Sequence, residues 1–373
     1  MKKRSVLIDL RYLEYLTNGF GQLSLNYGSY IKNNADKIQD LDITLLVPKQ
    51  YIGKFGDHIK YLEFKRKYKF YPFLLPHYDI WHSITQQVKC ISIDSNTVRV
   101  ISIHDLNFLY ERSASKAKRK LKRQQAIIDI VDAITAISHF TIGEIETHLN
   151  LKGKTVQLNY VGERSIVNDK AETPNWADTD KKFFFTIGQI VEKKNFHILL
   201  DMMKLMPEYN LYICGDNSFE YAQYIQQRIT DENIENVSLT GTISAEEKVW
   251  MYRYCEAFLF PSKFEGFGYP VIEAMLFGKP VFSSSCTSLP EIGDKYAFFW
   301  ENFDPEYMKN IITDNIQTFY NNDAFIEDQI KYANSYTLER HMSFYLNLYR
   351  SIPIKKRKNP LTSIYNYYKF LKS

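Results

Sequence analysis

The stretch from Phe258 to Pro290, FLFPSKFEGFGYPVIEAMLFGKPVFSSSCTSLP, constrains the fold more than any other part of the chain. A short apolar run, Ala257 to Phe260, reads as a buried strand, and Pro261-Ser262 ends it. A loop carrying Glu265-Gly266-Phe267-Gly268 then leads into a segment of helical periodicity. Val271, Ile272, Met275 and Leu276 fall on one helical face, and Gly278-Lys279-Pro280 stops the helix before a second strand at Val281-Phe282. Strand, loop, helix, strand is the unit from which parallel α/β sheets are built. In such sheets ligands bind where loops leave the C-terminal ends of the strands.

Two carboxylates stand at that edge, Glu265 on the loop and Glu273 in the first turns of the helix. Backbone N–H groups from Phe267 to Val271 are expected at the helix start, where anions bind, and Gly266 and Gly268 let a ligand approach closely. Carboxylates that accept from hydroxyls, beside an anion-binding helix start, suit a nucleotide sugar. Two glutamates at this spacing would by themselves read as a cap and a solvated residue. The flanking words, FPS, EGFG with Pro270, EAM, G-x-PV and SLPE at Ser288 to Glu291, give the stretch its specificity. Together they resemble the E-x7-E signature of retaining GT-B glycosyltransferases (glycosyltransferase family 4, group 1), a group with sucrose synthases and bacterial mannosyltransferases.

The 373 residues are too many for one typical core and suit two domains. Apolar and charged fractions of 45% and 24% are ordinary for a globular protein, and a net charge of +4 does not point to nucleic acid. Basic clusters at Lys2–Arg4, Lys65–Lys69, Lys116–Arg123 and Lys355–Lys358 read singly as solvated faces; several on one domain would suit an anionic membrane. The 28 tyrosines and 25 phenylalanines suit sugar stacking and equally a Tyr-rich surface. Cys90, Cys214, Cys255 and Cys286 form no metal or redox spacing, which fits a reduced cytosol. Asp9 and Arg11 interrupt the apolar start, so it reads as a strand and not a signal peptide. No apolar run reaches the roughly 18 residues that a membrane span requires.

In order, Ser5–Asp9 is a first buried strand. A loop with Gly19-Phe20-Gly21 follows, then a helix from Gln22 to about Asn33. Strands are expected at Ile43–Val47, Asp79–His82, Val98–Ile103, Val131–Ile137 and Thr155–Tyr160. Ser138 is expected to cap a helix, and Tyr51–Tyr78 shows no clean periodicity. The polar stretch from Gly162 to Asp180 reads as a linker. Strand–helix alternation restarts at Phe183–Gly188, continues through Asn210–Gly215 and Asn236–Gly241, and reaches the E-x7-E unit. The domains are thus 1–165, a linker 166–180, a second domain 181–336, and 337–373 with a crossover helix and a basic amphipathic tail.

The resemblance implies two Rossmann-like domains facing across a cleft, the C-terminal helix crossing back to the first. It places the transferred sugar against Glu265 and the region of His104, and the donor pyrophosphate against Lys194. Ribose hydroxyls go to Glu273, and sugar and phosphates to the backbone of Gly266, Phe267, Gly268 and Tyr269. It further assigns the donor to Gly188 and Lys193, the base to the strand end at Leu239 and Thr240, and Gly19 and Gly21 to a loop facing the phosphates. Gln189 and Lys193 stand where many relatives have Arg, so a point charge replaces a planar fork there. For His104 the bland reading is a structural residue at a strand end; for the lysines, a solvated pair. No metal or other cofactor is expected: the family is metal-independent, and the chain's Asp178-Thr-Asp180 falls in the linker.

The wider pattern looks most like bacterial transferases that build O-antigens, lipopolysaccharide or capsules, many of which use GDP-mannose. The partners implied are a nucleotide-sugar donor and a saccharide acceptor, lipid-linked at the inner face of the cytoplasmic membrane. Residues 354–373 either lie on that membrane or pack on the first domain. Two alternatives are a sugar-nucleotide 2-epimerase of the same fold and a non-catalytic binding partner. The intact Lys194, Glu265 and Glu273 argue against the latter.

Overall fold

A computed structural model describes residues 3–16 and 18–354. The chain forms two compact units: the first runs up to Arg164 and resumes at Thr337, and the second is Ser165–Tyr336.

The first unit holds a seven-stranded sheet: β1 (Arg4–Asp9), β2 (Leu41–Val47), β3 (Lys60–Glu63), β4 (Ile80–Ser83), β5 (Val98–Ile103), β6 (Ala133–Ala136) and β7 (Val156–Leu158). The order is β3-β2-β1-β4-β5-β6-β7 and every pairing is parallel. Such a sheet is covered on both faces, which explains the continuous apolar runs of its strands. Val6, Ile8, Leu45, Val47 and Val100 face helix Gly19–Asn33 and helix Leu338–Ser351. Leu7, Leu46, Trp81, Ile101 and Ile103 face helix Ala114–Ile130 and helix His139–His148. The C-terminal helix therefore returns to the first domain as expected. Its docking is polar as well as apolar: Tyr345 Oη meets Ser102 and Thr135 at 2.7 and 2.9 Å. Tyr349 Oη lies 2.5 Å from His82 Nδ1, and His341 Nε2 lies 2.9 Å from Tyr27 Oη.

The second unit holds β8 (Phe183–Ile187), β9 (Asn210–Cys214), β10 (Val237–Gly241), β11 (Ala257–Phe260), β12 (Val281–Ser284) and β13 (Phe298–Trp300). Their order is β10-β9-β8-β11-β12-β13, again parallel. Residues 166–180, read from the sequence as a linker, are held by this unit. Asp178 N–H donates to Tyr212 Oη at 2.8 Å, Trp176 packs edge-on to the same ring, and Arg253 donates to the Val167 carbonyl.

Two local readings change. Gly19 and Gly21 are not in a loop but in the first turn of helix Gly19–Asn33, because Asn18 Oδ1 accepts the Gly21 N–H at 3.0 Å and caps the helix there. The aperiodic stretch 51–78 contains an edge strand, β3, whose pairing with β2 needs no strong alternation of its own. Among the described residues, no helix is long and apolar enough to cross a membrane.

Candidate functional site

In the second sheet the chain reverses direction of growth between β8 and β11, and loops leaving their C-terminal ends diverge there. Gly188 follows β8 with φ 155°, and Gly215 follows β9 with φ 140°. A Cβ on Gly215 would sit 1.8 Å from the Gly188 carbonyl oxygen, so only glycine lets these two turns touch. Beyond Gly188 a short 3-10 turn, Glu192–Lys194, ends on Asn195 in the left-handed region. The Lys193 carbonyl accepts from the Lys263 N–H at 2.8 Å and from Ser262 Oγ at 3.2 Å. These bonds fasten the loop after β8 to the loop after β11. They bring Lys194 and Glu265 together, Nζ to Oε1 at 2.5 Å, although 71 residues separate them. Lys194 Nζ also lies 4.8 Å from the centre of the Phe260 ring.

The loop that carries Glu265 is itself braced. Its N–H donates to Thr287 Oγ1 at 3.0 Å, and Ser288 Oγ donates to the carbonyls of Glu265 and Phe267 at 3.0 and 3.1 Å. Burial pushes the Glu265 carboxyl up, but the charges of Lys194 and Lys193 and hydrogen bonds from Lys194 and Ser262 outweigh it. The net result is a carboxylate held below its ordinary value. Gly268 opens helix Tyr269–Leu276 at φ 96°, and a Cβ there would meet Leu289 Cδ2 at 2.5 Å. Both conformation and space require glycine. Gly266 and Phe267 are buried, and the Phe267 and Tyr269 rings stack at 6.1 Å. Glu273, on the same helix, is 5% exposed; Lys248 Nζ lies 2.5 Å from Oε1, and Tyr252 Oη donates to Oε2 at 2.8 Å.

Leu239 and Thr240 stand at the end of β10, where the register with β9 shifts before Gly241. The Gly241 carbonyl accepts the Gly215 N–H at 2.8 Å, which ties this strand end to the glycine turn after β9.

In the first unit, Gly21 presses on the preceding turn: a Cβ there would be 2.0 Å from the Tyr15 carbonyl oxygen, whereas one on Gly19 would meet open space. His104 follows β5 and its ring sits edge-on to Phe20 at 5.1 Å, so the helix start and the strand end meet. His104 Nε2 lies 2.9 Å from the Ile84 carbonyl, which fixes the proton on that nitrogen. Burial lowers its pKa to about 4, against the opposing pull of that hydrogen bond, so the imidazole is neutral. Gly19, Gly21 and His104 belong to the first unit, and the other sequence-selected residues to the second.

Several supporting residues carry no motif. Lys248 and Tyr252 lie one turn apart on helix Ala245–Tyr254 and both reach Glu273. That i, i+4 spacing is visible in the sequence, but nothing in it points to Glu273. Thr287 sits at φ 54° beside the buried Ser288. Chemically, the second unit offers an ammonium to an anion, one buried carboxylate held by a lysine and a tyrosine hydroxyl, and a second carboxylate paired to the ammonium.

Two parallel Rossmann-like sheets, each with a switch in strand order, are the architecture of the GT-B fold. Solved structures agree on the fold: HepE of Anabaena, determined with UDP-glucose, superposes with a TM-score of 0.71 at 16% identity, over 92% of this chain and 99% of that one. Residues 168–335, most of the second unit, match the family described as glycosyl transferases group 1. Among curated relatives, the serotype-specific mannosyltransferase WbdA of Escherichia coli is 27% identical over 204 residues, 48% of this chain. That match takes in only 23% of the WbdA length. The O-antigen chain mannosyltransferase C of Escherichia coli is 23% identical over 261 residues, covering 65% of this chain and 68% of the relative.

Proposed function

We propose that the chain is a retaining hexosyltransferase that moves mannose from GDP-mannose onto a growing bacterial surface polysaccharide or lipid-linked oligosaccharide. The observation that carries this reading is the Lys194–Glu265 pair, 2.5 Å apart, on the loops after β8 and β11. An ammonium has three N–H bonds and Glu265 takes one, leaving donors for a β-phosphate whose charge grows as the glycosyl bond breaks. Glu265 in turn holds hydroxyls of the transferred sugar, and the amides of Gly266 to Tyr269 receive sugar and phosphate. Glu273 accepts from the ribose hydroxyls, with Lys248 and Tyr252 holding it in place. His104, neutral and fixed by Ile84, would meet a ligand of the first unit as a hydrogen-bonding group rather than as a cation. The mannosyl assignment leans on the two relatives named as mannosyltransferases. The tail, residues 354–373, is proposed to contact anionic lipid; residues 355–373 lie outside the described residues.

The test is a panel of sugar nucleotides read by thermal stabilisation, slow donor hydrolysis and the anomeric configuration of the product. GDP-mannose is expected to stabilise and turn over with retention, in the presence of excess EDTA. Stabilisation by UDP-glucose alone would replace the donor. A strict divalent-metal requirement would remove lysine and backbone amides as the phosphate's stabilisers.

A further inference from the structure

The first unit carries a surface that the proposed chemistry does not use. Between Lys65 and Leu74 the chain reads KRKYKFYPFL, and four of its apolar residues point outward: Phe70 is 61% exposed, Tyr71 53%, Phe73 68% and Leu74 46%. Burying them would be favourable, and a chain that leaves two phenylalanines this open within four residues presents a contact surface. The segment is shaped rather than loose. Two 3-10 turns, Arg66–Lys69 and Pro72–Leu74, hold it, with Tyr71 N–H bonded to the Lys67 carbonyl at 2.8 Å. Tyr68 and Pro72 face inward and anchor the knuckle, while Tyr71 and Phe73 pack edge-to-face at 5.9 Å on its outside.

Charge surrounds the apolar tip. Lys65, Arg66, Lys67 and Lys69 are exposed, and no acidic residue occurs from Phe64 to Tyr78. Helix Ala114–Ile130 adds exposed Lys116, Lys118, Arg119, Lys120 and Lys122, with no acid between Arg112 and Ile128. Both elements root in one apolar cluster on the same face of the first sheet, Tyr68 from the knuckle and Leu75 just after it with Ile127 and Leu121 from the helix. A protein partner would also bury the phenylalanines but would set acids against individual lysines, whereas these cations are spread over two elements with no acid among them, as a diffuse anionic layer requires. An anionic bilayer matches both, because aromatic and apolar tips enter the interfacial region while Lys and Arg meet the headgroups.

We propose that the Lys65–Leu74 knuckle and the basic face of helix Ala114–Ile130 form a docking surface for an anionic lipid bilayer. The apolar tip inserts and the cations bind headgroups, so attachment is peripheral and reversible. This rests on exposure and charge in the first unit; the donor assignment can fail without touching it. It is also separate from the proposed tail contact.

Co-sedimentation of the full chain with phosphatidylglycerol–phosphatidylethanolamine vesicles, against phosphatidylcholine vesicles, tests it at low and high salt. The wild type is expected to bind the anionic vesicles and to be released by salt. The double variant Phe70→Ser/Phe73→Ser should lose binding by about tenfold or more, and Lys116→Glu/Lys120→Glu by a similar factor that salt erases. Thermal melting and donor-dependent stabilisation of both variants should match the wild type, since all four side chains are exposed. A Phe73→Trp variant should show a blue-shifted emission on vesicles. Equal binding of wild type and both double variants, or binding abolished only by removal of residues 355–373, would overturn the proposal. So would wild-type protein that ignores anionic vesicles at low salt.

Discussion

The two units hold their polar groups in opposite ways. At the second unit's switch point the partners are charged and only part-covered: the side chains of Lys194 and Glu265 are 12% and 14% exposed, and Lys248 is 28% exposed. Beneath the C-terminal helix of the first unit they are neutral and sealed, with His82, Ser102, Thr135, His341, Tyr345 and Tyr349 all buried. A part-covered ion pair can exchange a partner for a ligand at modest cost, since each ion retains some solvation. A sealed network of hydroxyls and neutral imidazoles cannot, because any unpaired member would lose its hydrogen bond without gaining water. One arrangement suits binding and release; the other fixes a helix in place.

Acid should separate the two most widely. Burial lowers His82 to about 3 and His341 to about 4, with smaller contributions from neighbouring histidines, and His104 to about 4. Between those values and the ordinary 6.5, the unfolded chain binds protons that the folded chain does not, so stability falls as pH drops through that window. About 2 kcal/mol per histidine is expected to be lost between pH 7 and pH 5. Glu265 contributes in a lower window: its depressed folded value gives stability above the unfolded value, lost only as pH falls through the folded one. Hydrogen exchange at pH 7 and pH 5 should therefore show helix Leu338–Ser351 loosening before helix Tyr269–Leu276. Simultaneous loosening would erase the contrast.

Lys194→Ala sharpens it from the other side. Turnover should drop by roughly a hundredfold, about 3 kcal/mol, while nucleoside binding changes far less, because the charge met by the lysine grows in the transition state. Near-wild-type kcat would remove Lys194 from the phosphate site. The smallest effect concerns the two glutamates. Glu273→Gln should weaken nucleoside diphosphate binding about tenfold in calorimetry, through loss of one charged acceptor. Glu265→Gln should spare that binding and impair sugar transfer. Equal weakening in both would show the roles divided wrongly.

Local chemistry made much of the second unit legible. Phe258–Pro290 encodes strand, loop, helix and strand within contiguous residues, and the glycine at 268 announces a backbone that only glycine adopts without clash. In the first unit the expected cap was legible too: Ser138 accepts the N–H of Thr141, as a Ser before an apolar periodic run predicts. The first unit yielded less. Asn18 moved the helix start to Gly19, and a cap four residues upstream of the expected start at Gln22 outweighed the glycine signal. β3 escaped because an edge strand is defined by the neighbour it joins rather than by its own pattern.

The sequence by itself determined that the chain alternates strands and helices, that it does so in two runs, that Lys194 and Glu265 lie in loops after strands, and that Glu273 lies on the helix that follows. These follow from periodicity and punctuation read over a dozen residues at a time. Only the tertiary structure decided who holds whom. It paired Lys194 with Glu265 across 71 residues, gave Glu273 to Lys248 and Tyr252, and sealed His82 under Tyr349 across 267 residues. It also turned Phe70 and Phe73 outward while their neighbours Tyr68 and Pro72 went in. The reason is one of range. Backbone preference and capping act within a few residues, whereas a partner is chosen by strand order and by which loops the sheet brings together at its edge.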